Sequence, residues 1–143
     1  MKTEKIESFT GTYRFLSNFC PASVWVDNDR YPTVEHGFQA SKTIDMDERA
    51  KILVAKTPGE AKRLGRKVTL VLDWEKVKLD VMRDLVRQKF TNDKVLRADL
   101  LATGDAVLVE GNTWGDVWWG VCRGKGQNWL GRILMEIRSE LRK

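Results

Sequence analysis

The sequence has few residues of the kinds that build metal centres, disulfides or membrane spans. It contains two cysteines, Cys20 and Cys122, and one histidine, His36, among 143 residues. These do not give the ligand spacing of a zinc site. We expect neither a metal nor a cofactor. No apolar run approaches the roughly 20 residues of a membrane span, and the first residues lack the apolar core of a signal peptide. These absences predict a cytoplasmic protein with reduced, buried thiols and no membrane contact.

Proline is also scarce, with three residues, and no segment has the biased composition of a linker. Hydrophobic residues make up 42% of the chain and charged residues 31%, which is typical of a folded globular protein. A chain of 143 residues is long enough for one domain and too short for two of ordinary size. We therefore expect a single domain over residues 1–143.

The charge balance is mildly basic, with 25 Lys and Arg against 20 Asp and Glu and a net charge of +5. This excess favours phosphate-bearing partners, although a solvated basic surface is the more common explanation. It is concentrated at residues 60–67 and 123–143. Because binders of nucleic acid usually carry a more extended basic face, the charge alone does not establish nucleic-acid binding.

Periodicity and capping residues predict a short β portion followed by helices. Residues 3–31 are expected to be short extended pieces, including a hairpin with its turn at 27–30. Asn92 is expected to cap one of the helices, and residues 68–72 to form a strand or a buried linker. A further buried strand is expected at 106–110 and a loop rich in Gly, Trp and Asn at 111–128. Helices are predicted over 33–44, 47–55, 58–65, from Asp73 onward, over 93–103 and over 128–141.

Three polar side chains in the segment EHGFQASK, residues 35–42, have the spacing of one helical face. Glu35, Gln39 and Lys42 are four and three residues apart. Such a face can hold a ribose, because a carboxylate accepts from hydroxyls and a desolvated lysine can act as an acid or as a nucleophile toward a ring-opened sugar. A salt-bridged surface helix has the same spacing. His36 points away from this face, and a structural role is favoured for it.

Two further segments contain polar groups beside aromatic or apolar anchors. In EGNTWGDVWWG, residues 110–120, the glycines permit close backbone approach and the indoles offer a stacking wall next to Asp116. A buried aromatic cluster with Asp116 in an Asx turn explains this composition equally well. In RFLSNF, residues 14–19, Arg14, Ser17 and Asn18 could contact a ligand or could be polar turn residues at a strand end.

The sequence lacks the spacing of a Walker loop, of GxGxxG before a helix, of a Ser-His-Asp arrangement and of HExxH. Phosphoryl transfer, Rossmann redox chemistry and zinc hydrolysis therefore have no support. Acid and base chemistry by Glu and Asp beside aromatic walls remains, which suits a glycosidase or a nucleoside-type binder.

Taken together, five segments resemble the NADAR (NAD and ADP-ribose) superfamily, and they occur in the order in which that family carries them. The resemblance covers roughly residues 9–140, and family members include the N-glycosidase of early riboflavin-pathway intermediates. It implies a compact, helix-rich α+β domain with a small β-sheet. It also implies hydrolysis of a C–N glycosidic bond, without a metal, in a phosphoribosylated pyrimidine or an ADP-ribosylated molecule. The segments are FLSNFCP (15–21), VEHGFQASK (34–42), AKRLG (61–65), NTWGDVWWG (112–120) and GQNWLGRILMEIR (126–138).

Carried onto the matching positions, the resemblance implies catalytic or ribose-contacting roles for Glu35 and Lys42, and it implies that Trp114 and Asp116 line the pocket next to the scissile bond. We expect Glu35, Lys42 and Asp116 to be the catalytic residues. Glu35 would stabilise an oxocarbenium-like transition state, Asp116 would orient the water or the ribose hydroxyls, and Lys42 could instead form a Schiff base with the opened sugar. Trp114 would stack on the leaving base, and Arg14 would meet a phosphate. We expect substrate contacts from Arg14, Ser17, Asn18, Phe19, Gln39, Trp114, Gly115 and Trp119.

Alternatives within this interpretation concern the substrate and the presence of catalysis. The substrate is a small phosphoribosyl or ADP-ribosyl molecule, an NAD-derived metabolite or an ADP-ribosylated nucleobase, including one in nucleic acid. The alternative function is a non-catalytic module that binds and senses NAD or ADP-ribose. The family often carries an aromatic residue at Cys20 and a bulkier one at Gly37, which affects the expected substrate shape more than the reaction.

Overall fold

The computed structural model describes residues 4–143. A 3-10 helix, Gly11–Leu16, lies between the first two strands. The strands are β1 (Lys5–Ile6), β2 (Pro21–Val26), β3 (Asp29–Thr33), β4 (Val107–Leu108), β5 (Gly111–Asn112) and β6 (Val121–Cys122). The helices are α1 (Val34–Ala40), α2 (Met46–Leu53), α3 (Pro58–Gly65), α4 (Trp74–Asn92), α5 (Lys94–Ala102) and α6 (Trp129–Leu141).

Four helices begin after a Thr or Asp whose side chain accepts a backbone N–H of the first turn. Thr33 caps α1 and Thr57 caps α3, with Pro58 following at the first helical position. Asp45 caps α2 in the same way. The prediction that Asn92 caps α5 is wrong. Asp93 is the cap, and its Oδ1 accepts from two backbone N–H groups at 3.0 Å each.

Helix α1 is shorter than the predicted span of 33–44. The Ser41 hydroxyl donates to the Gly37 carbonyl at 2.8 Å, and the next two residues close turns onto carbonyls three positions back. These bonds join Lys42 N to Gln39 O at 3.2 Å and Thr43 N to Ala40 O at 3.3 Å. Hydrogen bonds between residues three positions apart are tighter than those of an α-helix, and they end α1 before Lys42.

Residues 68–72 form neither the strand nor the buried linker expected from their β-branched composition. The backbone N–H of Thr69 donates to the Glu48 carboxylate at 2.9 Å, and the N–H of Val71 donates to the Lys42 carbonyl at 2.8 Å. Because a side chain and a turn satisfy these donors, no strand partner is needed. Leu70 is exposed and Leu72 fully so.

The chain contacts group the residues into two compact units. The second unit comprises Asn18–Lys89. In it, β2 and β3 form the predicted antiparallel hairpin, and α1 contacts both strands as well as α2 and α3. Each residue of α1 is buried. A Cβ added at Gly37 would lie 3.0 Å from a methyl of Val24 and 3.3 Å from one of Leu85. The glycine therefore lets α1 pack closely, and it belongs to the core of this unit.

The first unit comprises Met1–Ser17 and Phe90–Lys143 and is described from residue 4. β1 pairs with β4 and β5 with β6, both in parallel. Leu130, Ile133, Leu134 and Ile137 of α6 are buried, so one apolar side of this helix packs into the core of the unit. The expected strand at 106–110 is reduced to β4, of which Leu108 is buried and Val107 exposed.

The prediction of a helix-rich α+β fold is confirmed, with two differences in the β portion. The strands form three separate two-stranded sheets, where one small sheet was expected. The segment expected to be extended around Arg14 is the 3-10 helix, so Arg14 lies in a helical turn. Neither cysteine is in a disulfide; Cys122 is buried as expected, whereas Cys20 is only half-buried. Within residues 4–143, no helix is long and apolar enough to cross a membrane.

Candidate active site

Glu35 lies in the first turn of α1 and is only 7% exposed. Its backbone N–H donates to the Asn18 carbonyl at 3.2 Å, so the FLSNF segment is joined directly to the start of the helix. The alternative of a salt-bridged surface helix is wrong, because α1 is buried along its whole length. A carboxylate in such a position loses most of its hydration, and it needs hydrogen-bonding partners to compensate.

Gln39 is one turn further along α1 and is 4% exposed. Its Nε2 donates to Glu35 Oε1 at 3.3 Å, which confirms that the two side chains share a face. Its Oε1 has no hydrogen-bond partner among the described residues. The predicted spacing of four residues therefore gives a contact between an amide and a carboxylate.

Lys42 lies in the turn that follows α1, and the charge of the Glu35 carboxylate acts on its ammonium group. Its Nζ is 5.9 Å from the centroid of the Phe38 ring, which packs against Trp74 at 5.1 Å. Burial lowers the pKa of Lys42 below its usual 10.5, and the Glu35 carboxylate opposes that shift. The amine thus loses its proton more readily than an exposed lysine does.

Three further cations act on Lys42. Arg66, Lys62 and Lys78 each lower its pKa through charge repulsion. Arg66 and Lys62 come from the basic run at 60–67, and Lys78 comes from α4. The buried Glu35 and the half-buried Lys42 are consequently accompanied by a group of positive charges suited to an anion.

The other sequence-predicted residues of the FLSNF segment are less buried. Asn18 is half-buried and its Nδ2 donates to the Met82 sulfur at 3.5 Å. Phe19 is exposed. In the first unit, Arg14 is exposed and Ser17 half-buried, and the Ser17 N–H donates to the Arg14 carbonyl at 2.9 Å. Both lie at the end of the 3-10 helix.

The tryptophan-rich loop of the first unit is held together by Asp116 and Asn112. Asp116 Oδ1 accepts from the N–H groups of Trp118 at 3.1 Å and Trp119 at 2.9 Å, which is the Asx turn considered as an alternative. Asn112 exchanges hydrogen bonds with the Asp116 backbone at 2.8 and 3.0 Å. The loop presents rather than buries Trp114, which is 62% exposed.

Gly115 and Trp119 take different positions in the same loop. Gly115 has φ +86°, a left-handed conformation that favours glycine. Trp119 is half-buried and stands edge-on to Trp118 with the ring centroids 6.4 Å apart. Trp118 in turn lies 6.0 Å from Trp129, over which the Arg132 guanidinium is placed at 4.7 Å. The loop is therefore a shaped aromatic surface.

His36 has two hydrogen-bond partners inside the second unit. Its Nδ1 lies 2.8 Å from Thr33 Oγ1, and its Nε2 donates to the Ala55 carbonyl at 3.0 Å. At 2% exposure it links the start of α1 to the segment after α2. This agrees with the structural role favoured from the sequence.

Two features of the second unit were not predicted. Lys78 and Trp74 belong to α4, more than 30 positions from Lys42, and nothing in the local sequence relates them to it. Gly65, predicted only to end α3, faces the Gln39 side chain. The described residues contain no group of three or more His, Cys, Asp or Glu side chains placed to hold a metal ion.

Comparison with known proteins agrees with these motifs. The family model of the NADAR domain matches residues 5–142. N-glycosidase YbiA of Escherichia coli (strain K12) is 44% identical over 137 residues, which cover 94% of this chain and 85% of that protein. Riboflavin biosynthesis protein VVA0006 of Vibrio vulnificus is 42% identical over 89% of this chain and 35% of its own length.

A solved structure shares the fold as well as the sequence. The NMR structure of the E. coli protein YbiA matches with a TM-score of 0.85 at 41% identity, over 99% of this chain and 88% of that one. The family match spans nearly all of the described residues, and it includes both the buried Glu35 and the tryptophan-rich loop. The chain belongs to the NADAR domain family.

Proposed function

We propose that this protein hydrolyses the C–N glycosidic bond of a phosphoribosylated pyrimidine, with Glu35 and Lys42 as the groups that act on the ribose. The chain is a hydrolase of N-glycosyl bonds, like the N-glycosidase to which it is 44% identical. The substrate class and the residue roles are the proposed part.

The buried Glu35 beside Lys42 is the observation that carries the assignment. Breaking an N-riboside develops positive charge at C1′ and the ring oxygen, and a carboxylate in a water-poor setting stabilises that charge strongly. Glu35 is 7% exposed, and its carboxylate accepts a hydrogen bond from Gln39. A carboxylate buried at the cost of its hydration is typical of a functional site.

Lys42 has two chemical routes open to it. As an ammonium with a lowered pKa, it can donate a proton to the departing base while water adds to C1′. As a free amine, it can bond to C1′ of the ring-opened sugar while the base leaves, and water then hydrolyses the resulting imine and restores the amine. Trapping with borohydride separates the two routes, because only the second forms a reducible bond to the protein.

The positive charges around Lys42 favour a substrate that carries phosphate. Arg66, Lys62 and Lys78 all repel the Lys42 ammonium, and a phosphate placed among them would relieve that repulsion. A relative from Vibrio vulnificus is named a riboflavin biosynthesis protein, which supports an early riboflavin-pathway phosphoribosylamino-pyrimidine as the substrate. An ADP-ribosylated nucleobase or NAD-derived metabolite carries the same kind of charge and is the second candidate.

The test is release of base and sugar from a panel of substrates, followed by mass spectrometry. The panel holds the phosphoribosylamino-pyrimidine, NAD and ADP-ribosylated guanosine, each with the wild type and with Glu35→Gln. Glu7→Gln, at an exposed carboxylate, is the matched control. We expect release from the pyrimidine, a loss of at least about 100-fold in Glu35→Gln and no loss in the control.

Other outcomes give a different assignment. Full activity in Glu35→Gln would remove Glu35 from the reaction. Binding of NAD or ADP-ribose without release of any product would favour the non-catalytic sensor instead.

A further inference from the structure

We infer that Gly65 and Gln39 position the Glu35 carboxylate: Gly65 leaves the space in which the Gln39 amide lies, and that amide holds Glu35. The inference rests on the proposed function, in which Glu35 acts on the ribose. It also assigns a role to Gly65 of the AKRLG segment at 61–65, of which the proposed chemistry otherwise uses only Lys62.

Gly65 is required for packing and not for backbone conformation. It is the last residue of α3, and it is not among the glycines with positive φ. A glycine inside a helix is unfavourable, so a specific close approach best explains it. A Cβ built at this position would lie 2.6 Å from Gln39 Cδ and 2.9 Å from Gln39 Cβ, and it would be still closer to Oε1. No side chain fits there unless Gln39 moves.

The orientation of the Gln39 amide follows from its two neighbours. Nε2 donates to Glu35 Oε1 at 3.3 Å, and Oε1 faces Gly65 with no hydrogen-bond partner among residues 4–143. Exchanging the amide oxygen and nitrogen would place a carbonyl oxygen against the carboxylate, which is repulsive. Glu35 therefore selects this orientation, and Gly65 provides the room for it.

Displacing the amide should affect catalysis through Glu35. A methyl group at position 65 must push the amide away from its place, which removes or misdirects the donor to Glu35. Because a misplacement of about 1 Å at a reacting group can cost about 100-fold in rate, we expect kcat to fall by about 10- to 100-fold. In this role the Gln39 amide serves Glu35 and not the substrate, which differs from the substrate contact expected from the sequence, so KM should stay within about threefold.

Two test variants and one control separate this role from a general packing defect. Gly65→Ala displaces the amide. Gln39→Glu keeps the size of the side chain but replaces the amide with a second carboxyl group that would share a proton with Glu35, so Glu35 loses its charge and the variant remains informative if Gly65→Ala folds poorly. Gly59→Ala is the control, because it makes the same change on the same helix, where the nearest atom to the new Cβ is Thr57 Oγ1 at 3.9 Å.

Two readouts are needed. The side-chain amide signals of Gln39, assigned in 15N–1H spectra by their loss in Gln39→Glu, report the geometry without any substrate. They should shift in Gly65→Ala and in Glu35→Gln, and stay in place in Gly59→Ala. In parallel, steady-state kinetics should show the fall in kcat at nearly constant KM for Gly65→Ala and Gln39→Glu, and wild-type values for Gly59→Ala.

The outcomes also separate this inference from the proposed function. Unchanged Gln39 signals, or an unchanged kcat in either test variant while Glu35→Gln is inactive, would overturn the positioning role. Full activity in Glu35→Gln would overturn the catalytic assignment of Glu35 and, with it, the positioning role. The amide signals would then decide only whether Gly65 places Gln39.

Discussion

His36 Nε2 donates to the Ala55 carbonyl at 3.0 Å, while Nδ1 of the same ring lies 2.8 Å from Thr33 Oγ1. With Nε2 as the donor, the neutral ring accepts from the Thr33 hydroxyl, whose oxygen in turn accepts from the His36 N–H at 3.1 Å. One buried ring thus fixes the cap of α1 and the chain after α2. The ring therefore adds stability to the helix that carries Glu35, while the burial of every residue of that helix fixes where it lies.

Replacing His36 should reduce stability and leave the chemistry intact. In His36→Ala the Ala55 carbonyl loses its donor and a buried ring leaves a void, so we expect the free energy of unfolding to fall by about 2–4 kcal/mol. Urea denaturation measures this fall. At a temperature where the variant is folded, kcat should stay within about threefold of wild type. A loss of 100-fold in the folded variant would contradict a role confined to stability.

The lowered pKa of Lys42 gives a prediction about pH. Burial is the largest cause of the lowering. Among the nearby charges, Glu35 has the strongest effect and raises the pKa, and Arg66 has the next strongest and lowers it. Arg66→Gln removes a like charge, so the pKa of Lys42 should rise toward 10.5. NMR titration of the 13Cε signal of Lys42 measures it directly. Arg63→Gln is the control, since Arg63 lies in the last turn of α3, three residues before Arg66, and is not among the charges that displace this pKa.

The same shift affects stability in a defined direction. Because the pKa of Lys42 is lower in the folded than in the unfolded chain, the unfolded chain binds more protons between the lowered value and 10.5. The contribution of Lys42 to stability therefore rises with pH across that window. The rise should be smaller in Arg66→Gln than in Arg63→Gln. An identical pH dependence in both variants would contradict the assigned influence of Arg66.

Local sequence signals were sufficient for the start of α1 and for one contact within it. The Thr33 cap needs only neighbouring residues, and the spacing of Glu35 and Gln39 brings their side chains together in any helix. The extension of the helix to Ile44 was wrong because the bonds that end it at Ala40 involve the Ser41 hydroxyl and tight turns, which periodicity does not reveal.

Contacts between segments that are distant in the sequence cannot be predicted from local patterns. The approach of Gly65 to Gln39 joins two helices, and the influence of Lys78 on Lys42 joins a turn to α4. In the β-branched run at 68–72, a distant contact overrides a local preference for strand. The backbone N–H of Thr69 donates to the Glu48 carboxylate and so needs no partner strand.

Asp116 allows its loop-forming and its chemical roles to be tested separately. Its Oδ1 accepts from two backbone N–H groups, and an asparagine can do the same. Asp116→Asn should therefore keep the melting temperature within about 2 °C, whereas Asp116→Ala should lower it by about 4 °C or more. If the charge of Asp116 serves the reaction, as the family resemblance implies, Asp116→Asn also loses at least tenfold in kcat. If Asp116→Asn is stable and has wild-type kcat, the role of Asp116 is to form the Asx turn and its charge takes no part in the reaction.

Asn128 precedes α6 with φ +55° and joins it to the strand β4. Its Nδ2 donates to the Leu108 carbonyl at 2.9 Å, and its Oδ1 accepts from the Glu110 N–H at 2.9 Å. A Cβ added at Gly131 would collide with the same Leu108 carbonyl and with the Asn128 amide, so this packing requires a glycine there. The NWLG part of the family segment at 126–138 is thus explained by packing within the first unit.

Asn128→Asp should destabilise the protein in a pH-dependent way. Aspartate tolerates the left-handed backbone, so the effect comes from the side chain, which at pH 7 places a carboxylate oxygen against the Leu108 carbonyl. We expect urea denaturation to show a loss of about 2–4 kcal/mol relative to wild type at pH 7. Below about pH 4 the introduced carboxyl is protonated and donates again, so the loss should shrink. Asn28→Asp, in the exposed hairpin turn, should show neither effect, and an equal loss in both variants would contradict the bridging role of Asn128.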